Sequence, residues 1–457
     1  MKLSAVLFEK TYKFKDVKEV LSKANEEKSG DVLLGIAAKS SKERMAAKVV
    51  LSQLTLEDLR NNPVVPYEED EVTRVIDDSL NERIYSEIKD WTVGYLREYI
   101  LDHKTTNIDI RRISKALTGE MVAGVAKLMS TMDLVYGAKK IQITGKANTE
   151  IGKKGTLSFR LQGNHPTDSI KGILASCYEG LSYGCGDAVI GINPAIDTVD
   201  NTKKIMNAIY GLVKKYDIPT QTCVLSHIST QMEAVRQGAP TSVFFQSVAG
   251  TEDANKAFGI DKALLDEAHE VIKKHSVAEG PNLMYFETGQ GSEMSINTDH
   301  GADEMTLEAR TYGFGRVFNP FMVNNVSGFI GPETLYDGKQ MIRANLEDHF
   351  MGKLMGLPMG MAPCYTNHTN MDQNDQEMGT LLLAMAGSNY YMGVPHGDDV
   401  MLSYQDTSYH DDATLREVLD LKPAPEFHQW LMKMGIMDEN GVLTEKAGDA
   451  SLFFEKE

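Results

Sequence analysis

Two patterns of apolar residues divide the chain. Up to about residue 150, apolar residues recur every three or four positions, which is the spacing of amphipathic helices. From residue 157 onward, short runs of apolar, β-branched and aromatic residues alternate with helix-like stretches. The sequence therefore predicts a mainly helical region over 1–150, with few strands, followed by a mixed α/β region.

Several predicted helices in the first third have recognisable ends. The earliest one closes on Gly30, as a helix C-cap does. Ser40 and Thr55 are placed to cap the first turns of the next two, and Pro63 stops the second of these. The predicted helical runs cover residues 17–30, 40–54, 55–63, 82–101 and 117–140.

Eight apolar, β-rich runs follow one another after residue 150. Helix-like stretches separate most of them, which implies parallel pairing, and eight such units imply a (β/α)8 TIM barrel over residues 151–400. A doubly wound open sheet remains the alternative on this pattern alone. Residues 401–457 are predicted to form a helical extension packed on the barrel. The eight predicted strands are 157–162, 187–193, 222–227, 242–248, 283–288, 321–326, 357–364 and 389–394.

The amino-acid composition argues against several classes of partner and metal site. The chain has 457 residues, 42% hydrophobic and 25% charged, with a formal net charge of −18. Because such an acidic surface repels nucleic-acid phosphates and anionic lipids, we expect neither nucleic-acid nor membrane partners. The four cysteines are scattered without a C-x-x-C pair, which disfavours zinc and iron–sulfur sites and suits a reducing cytoplasm.

Polar side chains stand at the ends of several predicted strands. They include Arg160, Gln162, Asn193, Gln246 and Glu287. A barrel enzyme places its chemistry at the carboxyl ends of its strands, so these side chains are expected to converge on one mouth. Alone, Arg160 or Glu287 is as compatible with a structural ion pair, and Asn193 or Gln246 is more typical of a loop cap. Further polar residues at strand ends are His227, Ser247, Asn324 and Asn325.

Common cofactor and catalytic motifs are absent from the sequence. No G-x-G-x-x-G opens a helix after the first strand, and no P-loop, G-x-S-x-G or H-E-x-x-H occurs. The chain also lacks D-x-H-x-x-G, by which some cobalamin enzymes supply a histidine to cobalt. The histidines of the second half cluster only loosely, so the sequence predicts no metal site, and a metal-dependent barrel hydrolase stays a remote alternative.

Several long segments of the sequence, taken in their order along the chain, are specific enough to indicate a protein family. The chain contains KSGDVLLGIAA, RNNPVVPYEEDEVTR, YEGLSYGCGDAVIGINP, IPTQTCVLSH, YFETGQGS, GFIGPETLY, LEDHFMGKLMGLPMGM, CYTNH and MGVPHGDDVMLSYQ. Together they resemble the large, catalytic subunit of ethanolamine ammonia-lyase over nearly the whole length. The resemblance implies an eight-stranded barrel that binds adenosylcobalamin at its mouth, pairs with a small subunit and forms a larger oligomer. It also implies radical deamination of ethanolamine to acetaldehyde and ammonia, in the cytoplasm and within a bacterial microcompartment.

The resemblance also assigns residues. Arg160, Gln162, Asn193 and Glu287 match positions that hold ethanolamine. Arg160 and Asn193 are expected to hold the hydroxyl group, and Glu287 to bridge the hydroxyl and ammonium groups, which makes Arg160 and Glu287 the catalytic pair. The positions that match cobalamin contacts are Pro194, Gln246, Ser295 and Met401.

One position departs from the family pattern. Members often carry an aspartate just before CYTNH that pairs with the substrate ammonium group, whereas this chain reads GMAPCYTNH with Ala362 at that place. Three explanations stay open: Glu287 and Gln162 suffice, another carboxylate such as Asp372 reaches the site, or the substrate is a related vicinal amino alcohol. A non-catalytic homologue within a microcompartment is disfavoured, because Arg160, Asn193 and Glu287 are all present.

Overall fold

The first third of the chain is a helical assembly that begins with a hairpin. The computed structural model describes residues 1–7 and 9–454. The hairpin pairs β1 (Ser4–Leu7) with β2 (Lys10–Lys13) in antiparallel register. The helices that follow are α1 (Val17–Ala24), α2 (Ser29–Leu33), α3 (Ser41–Gln53), α4 (Leu56–Arg60), α5 (Glu71–Asp78), α6 (Glu82–Ile88), α7 (Val93–Leu101), α8 (Asn107–Ser114), α9 (Gly119–Lys127) and α10 (Thr131–Lys140).

Side-chain caps explain where these helices begin. Ser40 accepts a hydrogen bond from the backbone N–H of Glu43, and Thr55 forms a reciprocal capping box with Asp58. Each of the two long amphipathic runs is divided into two helices, because Thr92 and Ser130 cap new helices within them. The predicted caps Ser40 and Thr55 are thereby confirmed.

One element of this region was not predicted, and one local prediction is wrong. The hairpin β1–β2 was not expected, since its strands are too short to show a clear period-two pattern. The first helix ends at Asn25 instead of Gly30, and Gly30 lies inside α2. The chain leaves the helical path there because Lys28 turns into the interior, where its Nζ donates to Glu347 Oε2 at 2.7 Å.

All eight predicted strands are present and parallel, so the barrel prediction is confirmed. Their order in the sheet is β7-β6-β5-β12-β11-β10-β9-β8. The sheet closes between β7 and the residues just before β8, where the backbone N–H of Ser242 donates to the carbonyl of Thr222 at 3.0 Å. The strands are β5 (Ser158–Leu161), β6 (Val189–Ile192), β7 (Thr222–Val224), β8 (Phe244–Ser247), β9 (Met284–Thr288), β10 (Met322–Asn325), β11 (Met359–Met361) and β12 (Tyr390–Gly393).

Helices surround this sheet, and smaller elements complete the chain. The connection between β8 and β9 holds two helices, α14 and α15. The helices are α11 (Ile170–Ser182), α12 (Val199–Lys215), α13 (Ile228–Arg236), α14 (Glu252–Ala257), α15 (Lys262–His275), α16 (Ser292–Ser295), α17 (Glu304–Gly315), α18 (Gly338–Leu354), α19 (Gln373–Met385), α20 (Tyr409–Val418) and α21 (Pro425–Met434). The remaining strands are β3 (Gly145–Lys146), β4 (Glu150–Ile151), β13 (Asp398–Asp399) and β14 (Tyr404–Gln405), and 3-10 turns cover Arg316–Phe318, Ser327–Phe329, Pro395–Gly397 and Ala450–Phe453.

The N-terminal helices are joined to the barrel by buried ion pairs. Arg310 on α17 is fully buried and donates to Asp70 Oδ2 at 2.7 Å and to Glu120 Oε1 at 2.8 Å. Its Nε donates to the carbonyl of Gly250 at 2.9 Å. Helix α9 can approach α17 this closely because Gly119 lies against Arg310, where a Cβ atom would come within 2.8 Å of its Cα. We call this Arg310-centred contact the junction.

The described helices are all too short or too polar to cross a lipid bilayer. The four cysteines are unbridged and buried.

Candidate functional site

Arg160, at the end of β5, is the centre of the candidate site. Its side chain has no exposed surface, yet its guanidinium group reaches residues of three other strands, β6, β9 and β12. Nη1 donates to Tyr285 OH at 2.6 Å and to Glu287 Oε1 at 3.0 Å, and Nη2 donates to Asn193 Oδ1 at 2.6 Å. Burial alone would lower the pKa of Arg160, but the neighbouring Tyr285 and Glu287 oxygen atoms outweigh it and raise that pKa.

Glu287 faces the open side of this pair. Its side chain is 14% exposed, whereas that of Arg160 is fully enclosed. Oε1 accepts from three groups: Arg160, Tyr285 OH at 2.8 Å and Asn324 Nδ2 at 3.2 Å. Among the described residues, none donates a hydrogen bond to Oε2. Because burial raises the pKa of Tyr285 well above its ordinary value, that residue stays a neutral phenol that donates to the carboxylate.

Gln162 lies two residues after Arg160 and is almost completely buried. Its Nε2 donates to Asp399 Oδ2 at 2.5 Å and to Tyr404 OH at 2.8 Å. Both partners belong to the segment after β12, which folds back over the barrel as the β13–β14 hairpin. This segment therefore forms one wall of the site.

Asn193 is held from two sides. Its side-chain oxygen accepts from Arg160, and its backbone N–H donates to Asn164 Oδ1 at 2.8 Å. Asn164 in turn donates from Nδ2 to Asp399 Oδ2 at 2.7 Å. The substrate-binding residues predicted from the sequence thus belong to one connected hydrogen-bond network.

Two acceptors in this network have no donor. Gln162 Oε1 and Asn324 Oδ1 are both enclosed and receive no hydrogen bond from any described residue. An enclosed polar atom without a partner costs roughly 1–3 kcal/mol, so such atoms mark places where a ligand or water completes the network. With Glu287 Oε2, the site offers three oxygen acceptors and the cationic donor Arg160, which suits a small ligand with several N–H or O–H donors.

The residues expected to contact a cofactor lie around the mouth of the barrel. Pro194 follows β6, Ser295 ends α16 after β9, and Met401 lies between β13 and β14, where its backbone N–H donates to Asp399 Oδ1 at 3.0 Å. Gln246 differs from these three. It is 4% exposed, and its Oε1 accepts from the backbone N–H of Ile228 at 3.0 Å, so its amide supports the start of α13.

Ala362 directly follows β11 and is fully buried. It packs in an apolar cluster with Cys364, Met392 and Tyr404. Met392 Sδ lies 3.5 Å from Arg160 Nη1, so this cluster borders the site. Asp372, the carboxylate suggested as a replacement, is exposed and caps α19, accepting from the backbone N–H groups of Asn374 and Asp375.

Asp406 is another carboxyl group near this wall. It is 3% exposed, and its Oδ2 has no hydrogen-bond partner among the described residues. Burial raises the pKa of Asp406 to about 8, although hydrogen bonds from Thr407 and the charge of Arg160 act in the opposite direction. Within residues 1–7 and 9–454, no group of three or more His, Cys, Asp or Glu side chains is arranged to hold a metal ion.

Comparison with known proteins identifies the family. A family model described as the ethanolamine ammonia lyase large subunit matches residues 12–446. The ethanolamine ammonia-lyase large subunits of Escherichia coli strain K12 and of Salmonella typhimurium strain LT2 are each 56% identical to this chain over 454 residues, covering 99% of it and all of the relative. The chain belongs to the ethanolamine ammonia-lyase large-subunit family. A solved structure, the FeFe-hydrogenase maturase HydG from Carboxydothermus hydrogenoformans, is similar at a TM-score of 0.39 and 10% identity, covering 80% of this chain and 84% of that chain.

This member of the ethanolamine ammonia-lyase family brings four of the sequence-predicted residues into one network. They are Arg160, Gln162, Asn193 and Glu287. Pro194, Ser295 and Met401 lie on the surrounding loops, and their predicted contacts with a cofactor stay predictions.

Sequence reasoning missed other members of the network. Tyr285 precedes Glu287 by two residues, so the period of a β-strand places both on one face, and that signal was available. Asn324 was noted at a strand end without a role, and the register pairs it directly with Glu287. Asp399 and Tyr404 gave no usable signal, because they lie in an irregular segment more than 230 residues from Gln162.

Proposed function

We propose that this chain is the catalytic subunit of an enzyme that deaminates ethanolamine to acetaldehyde and ammonia with adenosylcobalamin. Membership of the ethanolamine ammonia-lyase family supports the reaction class. The observation that carries the proposal is the pair of enclosed acceptors without donors, Gln162 Oε1 and Asn324 Oδ1, beside the Arg160–Glu287 ion pair.

Ethanolamine matches this set of groups. Its ammonium group offers three N–H donors for Gln162 Oε1, Asn324 Oδ1 and Glu287 Oε2. Its hydroxyl oxygen accepts from Arg160, whose direction is fixed by Asn193 and Tyr285. A ligand with only acceptors would leave the enclosed oxygens unsatisfied, which disfavours anionic substrates.

The ion pair has a role beyond binding. Arg160 stabilises negative charge that develops on the hydroxyl oxygen of the substrate, and Glu287 Oε2 can accept the hydroxyl proton or hold the ammonium group. Both groups are fixed by hydrogen bonds before substrate arrives, so little reorganisation is needed during the reaction. Enclosure by the β13–β14 segment limits water near reactive carbon atoms.

The barrel mouth presents apolar side chains to the flat face of a wide cofactor. Ile196 after β6 is 58% exposed and Val400 after β12 is 67% exposed, although both are large apolar side chains. Such side chains are suited to the face of a corrin ring, with Pro194, Ser295 and Met401 beside them. Gln246, whose amide also contacts the backbone of Ile228 and Ser247, is the fourth residue that we propose to contact the cofactor. When bound, adenosylcobalamin supplies the carbon radical that removes hydrogen from the substrate.

The assembly and its location are part of the same proposal. Relatives carry the name large subunit, so we propose that a small subunit pairs with this chain and covers part of the mouth. We further propose that such pairs assemble into a larger oligomer, in the cytoplasm and within a bacterial microcompartment.

A second candidate is favoured by one observation. Ala362 leaves only the apolar cluster with Met392 and Tyr404 on one side of the site. A vicinal amino alcohol with an additional methyl group, such as 2-aminopropanol, would bury that group there and gain roughly 0.8 kcal/mol per methylene-sized group.

The decisive assay measures ammonia and acetaldehyde release from ethanolamine by the complex with its small subunit. We expect both products only when adenosylcobalamin is present. Glu287→Gln should lower kcat/KM by about 10²–10³, the usual effect of removing one preorganised electrostatic group. The matched control is Glu279→Gln, an exposed glutamate that should leave the rate unchanged.

The outcomes separate the two candidates. Faster turnover of 2-aminopropanol than of ethanolamine would favour the second one. Cofactor-dependent turnover of neither amino alcohol, in a complex that binds cobalamin, would overturn the proposed function.

A further inference from the structure

Asp399 is a buried carboxylate at a branch point of the candidate site. It ends β13, is 3% exposed, and lies between the substrate network and the loop that precedes β14. Neither its chain position nor a motif singles it out. Its contacts do, because each carboxylate oxygen serves a different part of the site.

One oxygen serves the network around Arg160. Asp399 Oδ2 accepts from Gln162 Nε2 at 2.5 Å and from Asn164 Nδ2 at 2.7 Å. The other oxygen serves the loop, since Oδ1 accepts from the backbone N–H groups of Met401 at 3.0 Å and Leu402 at 2.8 Å. Four donors saturate the carboxylate, so it is held rigidly.

A carboxylate fixes the direction of any amide beside it. It can only accept hydrogen bonds, so Gln162 and Asn164 must both turn their NH₂ groups toward Asp399 and their oxygens away from it. The oxygen of Gln162 is then enclosed without a donor. The oxygen of Asn164 accepts from the backbone N–H of Asn193 at 2.8 Å, and this places the Asn193 side chain against Arg160.

We propose that Asp399 is the positioning residue of the site: through its two oxygens it makes Gln162 present an acceptor to the substrate amine and couples that orientation to the loop bearing Met401 and Leu402. This inference rests on the proposed function for the identity of the amine. It assigns to Asp399 no contact with substrate or cofactor. Selectivity for an ammonium donor would then originate in a residue that acts entirely through Gln162 and Asn164.

The test replaces the carboxylate with its neutral isostere. In Asp399→Asn one acceptor becomes an NH₂ donor, and because the backbone N–H groups of Met401 and Leu402 cannot turn around, this donor faces Gln162 and Asn164. Both amides then lose their acceptor, and at least one of them must turn around. We expect the KM for ethanolamine to rise at least about tenfold, with a smaller change in kcat, as for loss of an interaction common to ground state and transition state. Asp398→Asn is the matched control, because Asp398 is exposed and, among the described residues, its carboxylate accepts only from Gln405 Nε2; the KM of this variant should not change.

A double-variant cycle separates positioning from general structural support. In a Gln162→Met background there is no amide left to orient, so Asp399→Asn should raise KM less than about threefold further. Effects that multiply would show that Asp399 acts independently of Gln162 and would overturn the proposal. Calorimetric titration of ethanolamine into the cofactor-free complex provides the same comparison without turnover.

A measurement on the unaltered complex covers the case in which Asp399→Asn does not assemble. Bound ethanolamine should slow hydrogen exchange at the Met401 and Leu402 amides, because both donate to Asp399. Unchanged exchange there, with ethanolamine demonstrably bound, would overturn the coupling. An unaltered complex that binds ethanolamine but does not convert it would contradict the proposed function alone, and one that does neither would contradict both.

Discussion

Arg160 at the barrel mouth and Arg310 at the junction are both fully buried, but they differ in how their surroundings are satisfied. All three nitrogens of Arg310 donate, to Asp70, Glu120, Thr73 and the carbonyl of Gly250. Arg160 leaves Nε without a partner among the described residues, and the neighbouring Gln162 and Asn324 each leave an oxygen without a donor.

This difference distinguishes a buried arginine that stabilises the fold from a buried arginine that belongs to a ligand site. A buried ion pair stabilises a fold only when its partners make further hydrogen bonds, and at the junction every nitrogen of Arg310 donates while Asp70 also accepts from the backbone N–H groups of Thr73 and Glu252. At the mouth Arg160 is as well enclosed as Arg310, but its Nε and two neighbouring amide oxygens make no hydrogen bond with any described residue. Unused capacity beside an equally buried charge is therefore a better sign of a ligand site than the charge itself.

The largest expected effect comes from removing the junction arginine. Arg310→Met leaves the carboxylates of Asp70 and Glu120 buried without a cation. We expect the free energy of unfolding to fall by about 3–5 kcal/mol, as for other broken buried ion pairs. Urea unfolding followed by circular dichroism measures it.

Arg160→Met is the comparison for that variant. It should abolish most activity and destabilise less, because Glu287 is partly exposed and keeps its hydrogen bonds from Tyr285 and Asn324. If Arg160→Met and Arg310→Met lowered the free energy of unfolding equally, the proposed difference between the junction and the mouth would be wrong.

A smaller effect, dependent on pH, is expected at Asp406. Burial raises its folded pKa from 3.8 to about 8, so the folded protein holds this proton where the unfolded chain releases it. The stability that depends on the proton is complete below pH 4 and is lost as the pH rises toward 8, at up to about 1.4 kcal/mol per pH unit. Asp406→Asn does not titrate, so its Tm relative to the parent should increase between pH 5 and pH 8.

Asp70→Asn is the matched variant on the junction side. It removes a counter-charge of Arg310 and should lower Tm across the same pH range. A Tm difference for Asp406→Asn that does not vary with pH would show that folding does not raise the pKa of Asp406.

The smallest effect is expected at Asp372. Asp372→Ala removes the N-cap of α19 and should cost about 1 kcal/mol of stability while leaving the KM for ethanolamine unchanged. Thermal unfolding and steady-state kinetics measure the two quantities. A raised KM would place this carboxylate in the site and contradict its exposed position.

The barrel could be predicted from the sequence because each strand is a short apolar run with its own boundaries. The convergence of Arg160, Gln162, Asn193 and Glu287 could be predicted because barrel geometry brings strand ends together, as Arg160 and Glu287 show. Their roles toward a substrate, and that of Gln246 toward a cofactor, came from the resemblance and stay predictions. Within residues 82–101 and 117–140 the helix boundaries are set by side-chain caps. The apolar periodicity continues across these boundaries and therefore did not indicate them.

The rest required three-dimensional contacts. Asp399 has no periodic neighbours and reaches Gln162 across 237 positions of sequence, so nothing local distinguishes it from the adjacent Asp398. The end of the first helix depends on the pairing of Lys28 with Glu347, a contact across 319 positions of sequence. Residues that turn into the interior to meet a distant partner are the ones that a linear pattern does not show.

The burial of the four cysteine thiols affects how the protein resists chemical modification. Burial raises the pKa of Cys177 to about 12 and raises those of Cys185, Cys223 and Cys364 as well. Only a thiolate attacks an aldehyde or an oxidant efficiently, and such groups are neither ionised nor accessible in the folded protein. An enzyme that releases an electrophilic aldehyde next to its own interior would thus carry no cysteine that its product can poison.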